Sequence, residues 1–169
     1  TMKYMKLFEE MFDNNAGKSF WGDTGAGILP FYMKPAPTDS QPDRVIPMFM
    51  AALRGREANE PGTWGVWGGK IEGKEEPKTA ALREFREETE YDGKMTLYPS
   101  YVFKTDGFTY HNFIGWVPEE FVPVLNWETA KFKWVTLAEL SKLKLHFGLK
   151  ALLENGWEDI KKATDKYTK

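Results

Sequence analysis

The chain has 169 residues, no cysteine and a formal net charge of −2 at pH 7. This length is that of one soluble globular domain, and the missing cysteines exclude disulfides, thiolate catalysis and zinc–thiolate sites. The near balance of 25 acidic and 23 basic residues argues against stable binding to a nucleic-acid backbone, and no apolar run approaches the length of about 20 residues that a membrane-spanning helix needs.

The N-terminal segment is predicted to be a short helix. Met5, Phe8, Met11 and Phe12 recur at helical spacing, so residues 1–15 are expected to form a helical extension that packs on the domain. The same segment lacks the apolar stretch and the small-residue cleavage site of a secretory signal, and we therefore expect a cytoplasmic protein.

The segments that follow predict strands, a helix, strands again and a final helix. Apolar segments 28–33 and 45–53 indicate two strands joined by the proline-rich loop 35–42. Gly68-Gly69 then precedes a helix that is expected from about Lys78. The later elements are predicted as strands over 95–103, 108–117 and 132–135 and a helix over 148–155. No internal repeat interrupts this order, so a single domain over 1–169, of the α/β class with helices on both faces of a mixed sheet, is expected.

Three glutamates share one face of the first predicted internal helix. At about 100° per residue, Glu84, Glu87 and Glu88 fall within one arc, roughly opposite the apolar stripe that contains Ala81 and Phe85. Like charges at this spacing cost a few tenths of a kcal/mol per pair, and a hard divalent cation would convert that repulsion into binding. A solvated acidic helix face is the alternative that these three residues alone leave open.

A longer pattern surrounds these acids. Gly69, then Glu75 after five residues, then Arg-Glu-Phe-Arg-Glu-Glu over 83–88 after seven more resemble the signature box of the Nudix hydrolases. That box has a late glycine, which ends the helix in a left-handed conformation. Glu90 stands at the position of that glycine, so the helix is expected to continue to a stop at Gly93.

The resemblance implies a Nudix-type α/β/α sandwich and metal-dependent hydrolysis of a diphosphate linkage. It implies that Glu84, Glu87 and Glu88 are metal ligands, with the backbone carbonyl of Gly69, and that the ion is Mg²⁺, with Mn²⁺ as the alternative. Arg83 joins the expected catalytic set as the guanidinium that orients a glutamate by charge-assisted hydrogen bonds.

A further acid is expected from the loop before the last strand, as general base or additional metal ligand. Glu128 lies in a stretch similar to the one that carries this residue in the family, and an exposed loop acid is the equal alternative. Glu119 and Glu120 are second choices, because Pro118 places them in a surface turn. Whether Glu128 or a helix glutamate is the general base stays open.

Aromatic residues are the predicted substrate walls. Trp67 borders the metal site in sequence and is the first choice for a substrate contact, and Trp64 and Tyr110 are further choices. For each of them, packing in the core is the alternative. His146 precedes the last predicted helix and is expected to start or pack that helix rather than to catalyse.

The expected partner is a small-molecule nucleotide, without a membrane or a stable nucleic-acid complex, and a homodimer stays open. A nucleoside triphosphate is favoured, because motifs associated with other substrates are not evident. ADP-ribose, NADH and dinucleoside polyphosphates remain alternatives. A non-catalytic, nucleotide-sensing module of the same fold is the rival class, and the intact set of acids argues against it.

Overall fold

The computed structural model describes residues 23–168, except residues 59 and 106. The helical extension that the sequence predicts over residues 1–15 lies outside the described residues. In the described part of the chain, no helix is both long enough and apolar enough to cross a membrane.

The described residues form seven strands and four helices. The strands are β1 (Asp23–Pro35), β2 (Val45–Arg54), β3 (Trp64–Gly65), β4 (Trp67–Lys70), β5 (Thr96–Thr105), β6 (Phe108–Trp116) and β7 (Thr129–Val135). The helices are α1 (Pro77–Thr89), α2 (Leu137–Ser141), α3 (Phe147–Asn155) and α4 (Trp157–Asp165).

All seven strands belong to one mixed sheet, in which β1 changes partners along its length. The sheet has the order β3-β2-β1-β6-β5, with β4 paired to β1 and β7 paired to β2. The β1–β6 pair is parallel, and the other pairs are antiparallel. The second half of β1 pairs with β2, whereas its first half, from Gly25 to Ile28, pairs with β4. The later part of β2 pairs with β3 and β7 and no longer with β1. The strands β1 and β2 therefore diverge, with β3 and β4 between them.

Helices cover both faces of the sheet. On one face α1 buries Ala81 and Phe85 against β1, β2 and β4. On the other face Leu140 of α2, Leu149 of α3 and Ile160 of α4 share a second buried cluster with β1 and β2. The α/β/α sandwich around a mixed sheet that the sequence predicts is confirmed.

Helix α1 ends at Thr89, so the predicted continuation to Gly93 is wrong. Glu90 itself takes the left-handed conformation, with φ 57° and ψ 17°, and its N–H donates to the carbonyl of Arg86 at 2.8 Å. A residue other than glycine in this conformation costs about 1–2 kcal/mol. A distant segment stabilises this turn, because the carbonyl of Thr89 accepts a hydrogen bond from the N–H of Val124 at 2.9 Å.

Candidate functional site

The acidic face of α1 lies against the glycines of β4. Pro77 begins α1, where the absence of an N–H donor loses no intrahelical bond. An ideal Cβ on Gly69 would lie 2.6 Å from the carboxylate carbon of Glu84, closer than real Cβ atoms approach other atoms. Glycine at position 69 therefore leaves the space that the Glu84 carboxylate occupies beside the strand.

Arg83 is the centre of an ion-pair network around the start of α1. Its Nε and Nη2 each donate to one oxygen of Glu75 at 2.9 Å, and its Nη1 donates to Glu84 at 2.9 Å. Nη2 also donates to the carbonyl of Lys70 at 3.0 Å, and Nη1 lies 3.3 Å from the exposed carboxylate of Glu87. These bonds lower the pKa of Glu75 and raise the pKa of Arg83. Arg83 therefore joins α1 to β4 and orients the Glu84 carboxylate.

Glu88 is the most buried acid of the cluster. It is 6% exposed, the backbone N–H of Gly68 lies close enough to lower the pKa of its carboxyl, and its Oε1 has no hydrogen-bond partner among the described residues. Burial raises the pKa of the Glu88 carboxyl well above its usual range, and the charges of Glu128 and Glu84 raise it further. The guanidinium of Arg54 opposes this shift. The folded chain therefore holds a buried carboxylate oxygen that has no hydrogen-bond partner among the described residues.

Glu128 is joined to the site through its backbone. Its carbonyl accepts a hydrogen bond from the N–H of Gly55 at 2.8 Å, and an ideal Cβ on Gly55 would lie 2.6 Å from the carbonyl oxygen of Trp127. The segment before β7 therefore lies directly against the end of β2. Burial raises the pKa of both Glu84 and Glu88, and the charge of Glu128 adds to both shifts. The Glu128 carboxylate thus belongs to the same acidic cluster.

Arg54 is a residue of this site that the sequence pattern does not reveal. It ends β2, next to an irregularity in the β2–β7 pairing. Burial lowers the pKa of its guanidinium, and four neighbouring groups oppose that shift, namely Tyr110, Glu88, Glu128 and Glu60. In the sequence, Arg54 is one arginine after an apolar strand, and this position cannot show that its side chain lies among acids from three other segments.

The three aromatic residues predicted as substrate contacts are all buried. Trp67 is fully buried, its Nε1 donates to the carbonyl of Met50 at 3.1 Å, and its ring packs edge to face against Phe85. Trp64 is also buried, and Tyr110 is only 3% exposed. The structure therefore places these three side chains in the core and gives no support to stacking of a base on them.

The second-choice acids lie outside the cluster, and the histidine lies at its edge, with Nε2 3.3 Å from Oε2 of Glu60. Glu119 and Glu120 are exposed after β6, and Glu120 accepts a hydrogen bond from Oη of Tyr32 at 3.3 Å. Nδ1 of His146 accepts the N–H of Gly148 at 3.1 Å and so caps α3. The predicted role of His146 at a helix start is confirmed.

The donor set fits a divalent cation whose shell is completed by water and substrate. Within the described residues, no three His, Cys, Asp or Glu side chains form a ready metal cage. Magnesium, however, is usually held by one or two carboxylates, with water and substrate phosphates as its other ligands. The unpartnered Oε1 of Glu88, in one cluster with Glu84 and beside the backbone of β4, meets that requirement.

Comparison with known sequences identifies the family. The family model described as the NUDIX domain matches residues 46–155, which is more than half of the chain. A putative 8-oxo-dGTP diphosphatase 3 of Mycobacterium tuberculosis is 29% identical over 157 residues, which cover 89% of this chain and 67% of that protein.

Solved structures share the fold. A Nudix hydrolase from M. smegmatis, RenU, aligns with a TM-score of 0.70 and 23% identity over 92% of this chain and 93% of that one. The NUDIX domain of Shewanella oneidensis NrtR, complexed with ADP ribose, aligns with a TM-score of 0.58 and 16% identity over 99% and 98% of the chains. A C. elegans Ap4A hydrolase aligns with a TM-score of 0.58 and 16% identity over 78% of this chain and 93% of that one. The chain therefore belongs to the NUDIX domain family, the family of the Nudix-type pyrophosphohydrolases.

Proposed function

We propose that the chain is a Mg²⁺-dependent hydrolase that converts a nucleoside triphosphate and water into a nucleoside monophosphate and pyrophosphate. The observation that carries this proposal is the buried carboxylate of Glu88, whose Oε1 has no described hydrogen-bond partner. The carboxylates of Glu84 and Glu128 add their charges to the same place. Buried acids that repel one another are costly without a cation, and this arrangement suits one that also binds a phosphate chain.

The acids have different surroundings, which suit different tasks. Glu84 and Glu88 would hold the cation, and the more exposed Glu87 would join them as the phosphate chain binds. Bound there, Mg²⁺ would polarise a phosphoryl oxygen and neutralise charge on the leaving phosphate. Glu128 comes from a separate segment and is half-buried. It is therefore our candidate to accept the proton of the attacking water.

The comparisons support a triphosphate substrate without deciding it. The Mycobacterium tuberculosis relative bears the name of an 8-oxo-dGTP diphosphatase, which agrees with the class that the sequence favours. Two proteins of the same fold bear the names of an Ap4A hydrolase and of a domain complexed with ADP ribose. Dinucleoside polyphosphates and ADP-ribose therefore belong in any substrate panel.

We further propose that Trp127 contacts the base of the substrate. Its side chain is 60% exposed, its backbone is fixed against Gly55, and it directly precedes Glu128. Stacking on an aromatic ring contributes about 1–3 kcal/mol per base, so Trp127→Ala should raise KM by about 10-fold or more while kcat changes little. Trp157→Ala is the matched control, because Trp157 is 52% exposed on α4. An unchanged KM in Trp127→Ala would remove this contact.

The main experiment is a substrate panel with Mg²⁺, in which products are separated by chromatography. The panel contains ordinary and oxidised nucleoside triphosphates, ADP-ribose, NADH and diadenosine tetraphosphate. We expect a triphosphate to give the monophosphate and pyrophosphate, and we expect Glu88→Gln to lower kcat by about 100-fold or more. Glu119→Gln, at an exposed acid after β6, is the control. Absence of turnover with every compound would favour the nucleotide-sensing module instead.

A further inference from the structure

Two paired glycines leave a gap, here called the notch, on the face of the sheet opposite α1. Gly27 of β1 and Gly68 of β4 are directly paired there. An ideal Cβ on Gly68 would lie 2.6 Å from Oη of Tyr110, and one on Gly27 would lie closer still. The Tyr110 hydroxyl therefore occupies space that two side chains would otherwise need.

The register of the sheet brings Tyr110 to this notch. Tyr110 of β6 pairs with Gly25 of β1, and residues two apart along a strand share a face, so Tyr110 and Gly27 lie on the same face. The ring of Tyr110 packs in a cluster with Phe108 and Phe147. Neighbours on several elements therefore fix where the hydroxyl lies.

Gly68 connects the notch to the acidic cluster. The next residue, Gly69, leaves the space that the Glu84 carboxylate occupies, and the N–H of Gly68 itself lowers the pKa of the Glu88 carboxyl. An ideal Cβ on Gly68 would lie 2.5 Å from Cα of Gly27, which shows how closely β4 approaches β1 at this point. A shift of β4 at Gly68 would therefore move the backbone that lies beside both carboxylates.

We propose that Tyr110 is a positioning residue for the metal-binding carboxylate of Glu88, because its hydroxyl, held between Gly27 and Gly68, fixes the part of β4 that lies beside the carboxylates of Glu84 and Glu88. This inference rests on the proposed function in so far as Glu88 holds the cation. Stacking on a base does not suit a side chain that is 3% exposed. Packing of the ring alone is the other alternative, and phenylalanine would preserve it. Tyr110→Phe therefore separates the hydroxyl from the ring.

The test is Mn²⁺ binding to the nucleotide-free protein, measured from the EPR signal of free Mn²⁺, with kcat in Mg²⁺ as a second measurement. Tyr110→Phe should weaken Mn²⁺ binding by about 10-fold or more, the usual effect of losing a group that orients a ligand. Tyr98→Phe is the matched control, because it removes another strand hydroxyl, one that contacts Oη of Tyr167. A hydroxyl with a merely structural role would change thermal stability and leave Mn²⁺ affinity unchanged. Wild-type Mn²⁺ affinity in Tyr110→Phe would overturn the proposal.

A second variant keeps the test decisive if Tyr110→Phe does not fold. Gly27→Ala places a methyl group where the hydroxyl lies and should weaken Mn²⁺ binding in the same way. The double variant Gly27→Ala/Tyr110→Phe should bind Mn²⁺ about as well as the weaker single variant, since both changes act on one contact. If the two substitutions weaken Mn²⁺ binding independently, so that their fold-losses multiply in the double variant, the proposal is overturned.

The proposed function and this inference can fail separately. If the wild type binds Mn²⁺ but hydrolyses no nucleotide, and Tyr110→Phe weakens that binding, the proposed function fails and the positioning role stands. If the wild type hydrolyses a triphosphate and Tyr110→Phe binds Mn²⁺ normally, the positioning role fails alone. A wild type that neither binds Mn²⁺ nor hydrolyses any nucleotide overturns both.

Discussion

Replacing Gly69 with alanine should displace the Glu84 carboxylate without unfolding the protein. The new Cβ would lie 2.6 Å from Cδ and Oε2 of Glu84, so the carboxylate must retreat by at least 0.8 Å to reach ordinary contact at 3.4 Å. The backbone tolerates alanine, because φ of Gly69 is not positive. The displaced group is the end of a flexible side chain. The cost to folding is therefore the weakening of its ion pair with Arg83, about 1 kcal/mol or less for a partly exposed pair.

The cost to catalysis should be much larger than the cost to stability. A misplacement of about 1 Å at a reacting centre can lower a rate by about 100-fold. We therefore expect kcat with Mg²⁺ and the preferred nucleotide to fall by about 10- to 100-fold, while Tm falls by no more than about 2–4 °C. Gly65→Ala is the control, because the atom nearest to its new Cβ is Cβ of His146 at 3.5 Å. Both quantities should stay at their wild-type values in this control.

A double substitution tests whether Gly69→Ala acts through Glu84. In a Glu84→Gln background, Gly69→Ala should lower kcat little further, since the group that it displaces has already lost its charge. The reasoning would be refuted if Gly69→Ala kept the wild-type kcat, or if it lowered kcat by the same factor in both backgrounds.

Three further predictions concern buried side chains. Burial and the charge of Arg54 lower the pKa of His146 from 6.5 to about 3, so its stabilising contribution is present above pH 6.5 and is lost as the pH falls toward 3. In urea unfolding, the free energy of unfolding of the wild type should fall by about 2 kcal/mol more than that of His146→Asn between about pH 7 and pH 5, and asparagine keeps a capping side chain. Equal losses in the two proteins would contradict this. Burial raises the pKa of Glu88, so its favourable contribution is present below the unfolded pKa and is lost as the pH rises through the folded pKa. In EDTA at about pH 8, Glu88→Gln should therefore be about 1–3 kcal/mol more stable than the wild type, and lower stability would show that the charged form is well compensated. Trp67→Phe should cost about 1–3 kcal/mol through the lost bond to Met50 and lost packing, with KM within about two-fold of wild type. A large rise in KM at unchanged stability would make Trp67 a substrate contact after all.

The sequence predicted those parts of the site that depend on local spacing. Glu84 and Glu88 lie on one helix, as predicted, because helical geometry alone relates residues four apart. The buried stripe through Ala81 and Phe85 is confirmed for the same reason. The overall sandwich also followed from the order of strands and helices, since each element needs a partner for its apolar face.

Burial within the acidic face could not be predicted in this way. Glu87 and Glu88 are neighbours on one helix, yet Glu87 is exposed and Glu88 is buried. The difference depends on other segments, since Gly68 of β4 and Arg54 from the end of β2 both lie close enough to Glu88 to lower its pKa. The end of α1 is a second case, because the hydrogen bond from Val124 comes from a distant segment. Tertiary contacts of this kind override local preference.

Under the proposed function, the charges of the site explain why the protein would offer a cation only part of a shell. Two guanidinium groups, of Arg54 and Arg83, face a larger set of carboxylates: Glu60, Glu75, Glu84, Glu87, Glu88 and Glu128. The substrate adds the negative charges of its phosphate chain to this excess. A complete cage of protein carboxylates would increase the repulsion that the phosphates meet, whereas one or two acids leave positions for phosphate oxygens. If Glu88 holds the cation as proposed, a proton and the cation compete for its carboxylate, so cation binding and ionisation of this residue would be linked. The burial that raises the pKa of Glu88 would therefore also reserve its carboxylate for a cation.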